Sequence, residues 1–172
     1  TMVIDFGQNC AAIPEFVFKA AEGTVLTCLP SEILNDGNGA ESRGMDGPEG
    51  SCHRTNLRAH VEPAILMQYT FAGDKNYVTY HPTRTFFGYR FISVTATDEV
   101  RIKSVKSIPV TSITKEMEAG KITTGNDLIN KLISNTRWGM YSNYLSLPTD
   151  CPQRDERLGW TADTQVFTET GT

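Results

Sequence analysis

The hydrophobic period of this chain changes once, near residue 120, and that change limits what the chain can fold into. Before it, Met2 to Phe6, Glu15 to Ala20, Thr24 to Leu29, Ala64 to Ala72, Tyr77 to Tyr80, Arg90 to Thr97 and Val100 to Ile108 are short runs rich in β-branched and aromatic residues, separated by Gly, Pro, Asn and Asp. Polar and apolar residues alternate in Phe16-Val17-Phe18-Lys19 and from Arg101 to Lys106, as on a sheet with one wet face. Many short strands with almost no helical period predict a mainly β unit over residues 1–119, an antiparallel β-sandwich of jelly-roll type.

Beyond residue 120 the spacing is helical. Leu128, Ile129, Leu132, Ile133, Thr136, Met140 and Tyr144 form one stripe, and Trp138, Tyr141 and Leu145 a second. A helix apolar on more than one side is expected to pack between neighbours, here other helices that this chain does not contain. Asn126 or Thr124 offers its N-cap, and Pro148 requires it to end first. Thr161 is expected to cap a second helix running through Val166 and Phe167.

Asn35 to Asn56 carries five glycines and the turn pairs Asp36-Gly37, Asn38-Gly39 and Asp46-Gly47, so it reads as a long surface loop, packed or mobile rather than ligand-contacting. His53 within it has no Cys, His or Asp at metal spacing and reads as a surface or packing residue. Cys10, Cys28, Cys52 and Cys151 lack metal spacing and are too sparse for a disulfide framework, which leaves buried free thiols. No metal or cofactor is implied.

At 39% hydrophobic and 21% charged residues, with net charge -4, the 172 residues have the composition of a globular protein. No basic run exists to neutralise phosphates, which excludes nucleic acid as an expected partner. The longest apolar run, Ala64 to Met67, is far short of the roughly 20 residues a membrane helix needs, so no membrane partner is expected. No leader pattern is visible at the start, and the compartment stays open.

The chemistry concentrates between Asp150 and Asp163, which hold four carboxylates, two arginines and Trp160. Carboxylates supply the proton donor and hydroxyl acceptors of glycosidic cleavage, arginine fixes carboxylate geometry, and an aromatic face covers a sugar ring. Each residue also has a structural reading. Asp163 suits a helix N-terminus, Arg154 and Arg157 could pair with Asp155 and Glu156, and Trp160 could be core. Cys151 lies among acidic neighbours that raise a thiol pKa, which argues against a nucleophile.

Pro148-Thr149-Asp150-Cys151-Pro152-Gln153-Arg154-Asp155-Glu156-Arg157-Leu158-Gly159-Trp160-Thr161-Ala162-Asp163 closely resembles the signature of the bacterial α-L-rhamnosidases of glycoside hydrolase family 78, with Ala162 where glycine is usual. Asp5-Phe6-Gly7-Gln8-Asn9, Ser31-Glu32 and Pro82 to Phe91 resemble segments of the family's β-sandwich. The resemblance implies that residues 1–119 are that sandwich and that residues 120–172 are the first helices of an incomplete α/α six-hairpin barrel. It further implies Glu156 as general acid, with Asp150, Arg154, Trp160 and Asp163 binding rhamnose of an oligosaccharide or glycoside.

An inverting enzyme also needs a second carboxylate about 6.5–9.5 Å from the acid to activate water. In the family that base lies far downstream, so the chain is expected to be an inactive fragment, with helical stripes exposed and prone to self-association. Three other readings stay open: a non-catalytic carbohydrate-binding sandwich, a linker module of a multidomain hydrolase, and a six-hairpin enzyme for another sugar such as a uronic acid.

Overall fold

One long strand organises the sheet of this protein, whose computed structural model describes residues 1–38, 44–57, 65–154 and 156–171. β1 (Met2–Ala20) runs through both of the segments expected as separate strands. It is followed by β2 (Val25–Ser31), β3 (Met67–Thr70), β4 (Val78–Tyr80), β5 (Phe87–Ala96) and β6 (Val100–Pro109). The glycine and proline inside β1 mark local features rather than breaks. Gly7 takes φ 77° where the register with β5 shifts between Asp5 and Cys10, a left-handed bulge that suits glycine. Asp5 Oδ1 accepts from the Gly7 amide at 2.7 Å, and the Arg90 guanidinium grips both Asp5 oxygens at 2.8 Å, which pins the bulge to β5. Pro14 lies between the last β5 pair, Ala12 with Phe87, and the first β4 pair, Phe16 with Tyr80. On that edge no strand loses a donor to its missing N–H.

All pairings are antiparallel, in the order β3-β2-β5-β1-β4, with β6 also on β1. Ala12 pairs with both Phe87 and Pro109, and Phe16 with both Tyr80 and Val105. β6 therefore lines one edge of β1, while β5 and then β4 share the other. The unit is mainly β and antiparallel as expected, one continuous sheet curled so that its inner face closes over a sandwich-like core.

The alternation expected in Phe16-Val17-Phe18-Lys19 is what fills that core: Phe16 and Phe18 are fully buried, while Val17 and Lys19 are not. The Phe18 ring meets Tyr69 at 4.8 Å and Phe71 at 4.7 Å, and each such buried side chain contributes about 1.5–3 kcal/mol. Buried Tyr89 keeps its hydroxyl satisfied on Ser107 Oγ at 2.9 Å. Cys10 and Cys28 are the expected buried thiols, whereas Cys52 and Cys151 are only partly buried; all four are free.

The loop after β2 is packed at the surface by two polar side chains. Buried Asn35 donates from Nδ2 to Ser51 Oγ at 2.8 Å and accepts the Asp46 amide at 3.0 Å. Asp46 Oδ2 in turn accepts the amides of Arg54 and Thr55 and the Thr55 hydroxyl, at 2.7–2.9 Å. His53 Nδ1 stands 3.1 Å from Asp46 Oδ1, at ion-pair distance without hydrogen-bond alignment. Gly39, and Ala64 of the strand expected from Ala64 to Ala72, lie outside the described residues.

Two helices follow, α1 (Asp127–Asn143) and α2 (Thr161–Gly171). Asn126 caps α1, its Oδ1 accepting from the amides of Leu128 at 2.9 Å and Ile129 at 3.3 Å. Thr124 instead exchanges hydrogen bonds with the Asn130 side chain. The helix ends before Pro148, as the proline requires. In α2 the first backbone bond runs from Thr164 to the Trp160 carbonyl at 3.1 Å, so Thr161 lies inside the first turn rather than outside it as a cap. α1 rests one face on the sheet: Trp138 packs against the core, and buried Ser142 Oγ accepts the Ala11 amide at 3.1 Å. Elsewhere its apolar stripe stands open, Leu128 81% and Leu132 64% exposed, the exposure expected of a stripe whose helical partners are not in this chain.

Candidate functional site

Thr149 and Gly159 form an antiparallel bridge that closes the base of a loop carrying the acidic motif. Upstream, the Thr149 amide donates to the Asn143 carbonyl at 2.7 Å, which ties the loop's entry to the end of α1. Downstream, Trp160 opens α2 directly. A loop held at both ends by helices places its side chains reproducibly, as a reacting site requires.

Glu156 is the centre of the polar cluster and is nearly enclosed, its side chain 9% exposed. Its Oε1 accepts from the Trp160 indole nitrogen at 2.9 Å, and its Oε2 lies 2.5 Å from Arg154 Nη2. The same Nη2 is 3.7 Å from Asp150 Oδ2, so one guanidinium bridges two carboxylates. Asp150 Oδ1 and Arg154 Nε are buried without hydrogen-bond partners among the described residues. Such groups suit a polar ligand, because each unpaired buried polar atom carries a desolvation cost of about 1–3 kcal/mol. Asp155 lies outside the described residues.

A cleft of about 650 Å³ opens between α1 and α2, with Asp150, Trp160 and Asp163 on its walls beside Met140, Tyr144 and Phe167. This mixture of carboxylates and apolar faces fits the two sides of a sugar ring. Trp160 is 44% exposed and so is not core, and Asp163, in the first turn of α2, is exposed towards the same cleft. Glu156 and Arg154 stand behind that wall, joined to it through Trp160 and Asp150. All five residues singled out by the motif are therefore gathered in one place.

Asp150, Cys151 and Glu156 bring three donor atoms within 4.8 Å of one another. The donor set suits a metal poorly, because the Arg154 guanidinium already supplies positive charge between the carboxylates. Burial, followed by the Asp150 hydrogen bond at 3.2 Å, pushes the Cys151 thiol up to about 11, so it keeps its proton near neutral pH.

Two relationships escaped the sequence. A second cleft of about 590 Å³ separates the sheet from α1, and Asp150 and Gln153 share it with Asn9, Glu32 and Arg90. Glu32 there accepts from Asn9 at 2.9 Å and Asn56 at 3.2 Å; burial raises its pKa against these two bonds. Arg157, which could have paired with Glu156, reaches instead to the residue just before β5, where its Nη2 donates to the Phe86 carbonyl at 2.6 Å.

A family model described as the bacterial alpha-L-rhamnosidase concanavalin-like domain matches residues 1–112, and one for the bacterial alpha-L-rhamnosidase 6 hairpin glycosidase domain matches residues 117–172. The chain is 30% identical over 168 residues to an alpha-L-rhamnosidase of Alteromonas sp. (strain LOR), covering 97% of this chain and 16% of that protein. The Streptomyces avermitilis alpha-L-rhamnosidase, solved complexed with L-rhamnose, superposes with TM-score 0.74 at 32% identity, over 98% of this chain and 15% of that one. The Aspergillus terreus alpha-L-rhamnosidase gives TM-score 0.77 at 32% identity, over 98% of this chain and 18% of that one. The chain thus spans a small part of the length of each of these proteins.

Proposed function

The chain belongs to the bacterial α-L-rhamnosidase family, and we propose that the protein carrying it cleaves terminal α-L-rhamnose from rhamnosides by an inverting acid/base mechanism. The observation that supports this best is the placement of Glu156, an enclosed carboxylate held by Trp160 and Arg154 behind a cleft walled by Asp150, Trp160 and Asp163. In this reading Glu156 protonates the glycosidic oxygen as its bond to the anomeric carbon breaks. Asp150 and Arg154 take the rhamnose hydroxyls, Trp160 covers the apolar face of the ring, and Asp163 completes the acidic wall. Residues 1–119 form the β unit and residues 120–172 begin the helical catalytic unit.

Inversion requires a base about 6.5–9.5 Å from the acid, on the far side of the sugar, to activate water. We place that base outside these 172 residues, so the isolated chain is inactive. The test is proton NMR of the first sugar released from an aryl α-L-rhamnoside by the full-length protein. β-L-Rhamnose formed first, with no release by the isolated chain, is expected. α-L-Rhamnose formed first contradicts inversion, and turnover by the isolated chain that vanishes in Glu156→Gln contradicts its inactivity.

A further inference from the structure

We propose that Arg157 is a positioning residue for the general acid: clamped by the ring and carbonyl of Phe86, the residue just before β5, it fixes the left-handed turn that aims its neighbour Glu156. The inference rests on the reading of Glu156 as the acid. Among the described residues Arg157 is the one non-glycine residue at positive φ, 48°. An L-residue there costs about 1–2 kcal/mol, so surrounding contacts must hold it. The contacts are visible. Arg157 Nη2 donates to the Phe86 carbonyl at 2.6 Å, and its guanidinium carbon lies 4.2 Å from the centre of the Phe86 ring. A half-buried cation over a ring gains about 0.5–2 kcal/mol, comparable with the backbone cost.

The loop is seated a second time two residues on, inside β5. A Cβ on Gly88 would lie 2.6 Å from the Gln153 nitrogen and 2.7 Å from its Cα, so only glycine lets the loop backbone pass this close. Gln153 on Gly88 and Arg157 on Phe86 thus bracket Arg154 and Glu156. With Arg157 drawn to Phe86, its neighbour Glu156 meets Trp160 and Arg154. The β unit thereby sets the aim of the carboxylate through its neighbours.

The readout is leaving-group dependence, because an acid matters most where the departing oxygen is basic. In the full-length enzyme, kcat/KM is measured on phenyl and 2,4-dinitrophenyl α-L-rhamnosides. Glu156→Gln sets the pattern of lost protonation, a large loss on phenyl and a small one on dinitrophenyl. Arg157→Ala is expected to show the same pattern, with a loss of about 10- to 100-fold on phenyl, the scale of a misplaced catalytic group, and much less on dinitrophenyl. Arg157→Lys, which keeps a donor for the carbonyl without a flat face, should recover part of it. If Arg157→Ala does not fold, Phe86→Ala removes the ring from a partly exposed site and should shift the ratio in the same direction. Equal losses on both substrates overturn the inference while leaving the acid in place. No hydrolysis by the unaltered enzyme, or no leaving-group dependence in Glu156→Gln, overturns the functional reading and this inference with it.

Discussion

The indole nitrogen of Trp160 donates to Oε1 of Glu156 at 2.9 Å, while Arg154 holds Oε2 of the same carboxylate at 2.5 Å. The aromatic residue that walls the cleft is therefore also a support of the proposed acid. Its two duties separate experimentally.

Trp160→Phe keeps an aromatic face and deletes the N–H. A hydrogen bond contributes about 0.5–1.5 kcal/mol net, so kcat of the full-length enzyme should fall by about two- to tenfold. KM should change little. A rise in KM at constant kcat would make the ring a sugar wall alone.

Gly88→Ala forces a methyl group against the Gln153 backbone, which cannot move aside as a flexible side chain could. Overpacking of this kind costs about 1–3 kcal/mol. Amide exchange across residues 150–158 should accelerate while that of β2 stays unchanged. Equal acceleration everywhere would mean that the sheet, not the loop, absorbs the strain.

A pH effect is expected at the surface loop. Burial pushes the Asp46 carboxyl up, but the Arg54 amide, the Thr55 hydroxyl and the Thr55 amide outweigh it and hold its pKa well below the usual range. A depressed pKa contributes stability that is present above the unfolded value, about 3.9, and is lost as pH falls through the folded value. Asp46→Ala should therefore destabilise the isolated chain in urea at pH 7, and the gap to the parent chain should narrow below pH 4. A gap that stays constant down to pH 2 would remove the carboxylate from the account.

Much of this was readable in the sequence where local chemistry decides the outcome. The alternation at Phe16 and Phe18, the Asn126 cap and the end of α1 before Pro148 all follow from rules that act within a few residues. Gly7 and Pro14 misled because each is explained by a strand far away in sequence: β5 at the bulge, and the gap between β5 and β4 at the proline. The motif gave up the cluster of Asp150, Arg154, Glu156, Trp160 and Asp163, since residues this close in sequence were bound to lie close in space. It could not show that Arg157 leaves the cluster for Phe86, 71 positions away, or that Gly88 exists to admit Gln153. Those contacts join the β unit to the loop, and no spacing rule reaches that far.

The most direct test of the account is kcat/KM of Glu156→Gln in the full-length protein on phenyl α-L-rhamnoside, with circular dichroism to show an unchanged fold. The account predicts a loss of about 10²- to 10⁴-fold, the usual worth of a general acid. A Glu156→Gln variant that keeps activity within about threefold of the parent, less than 1 kcal/mol of barrier, would contradict it.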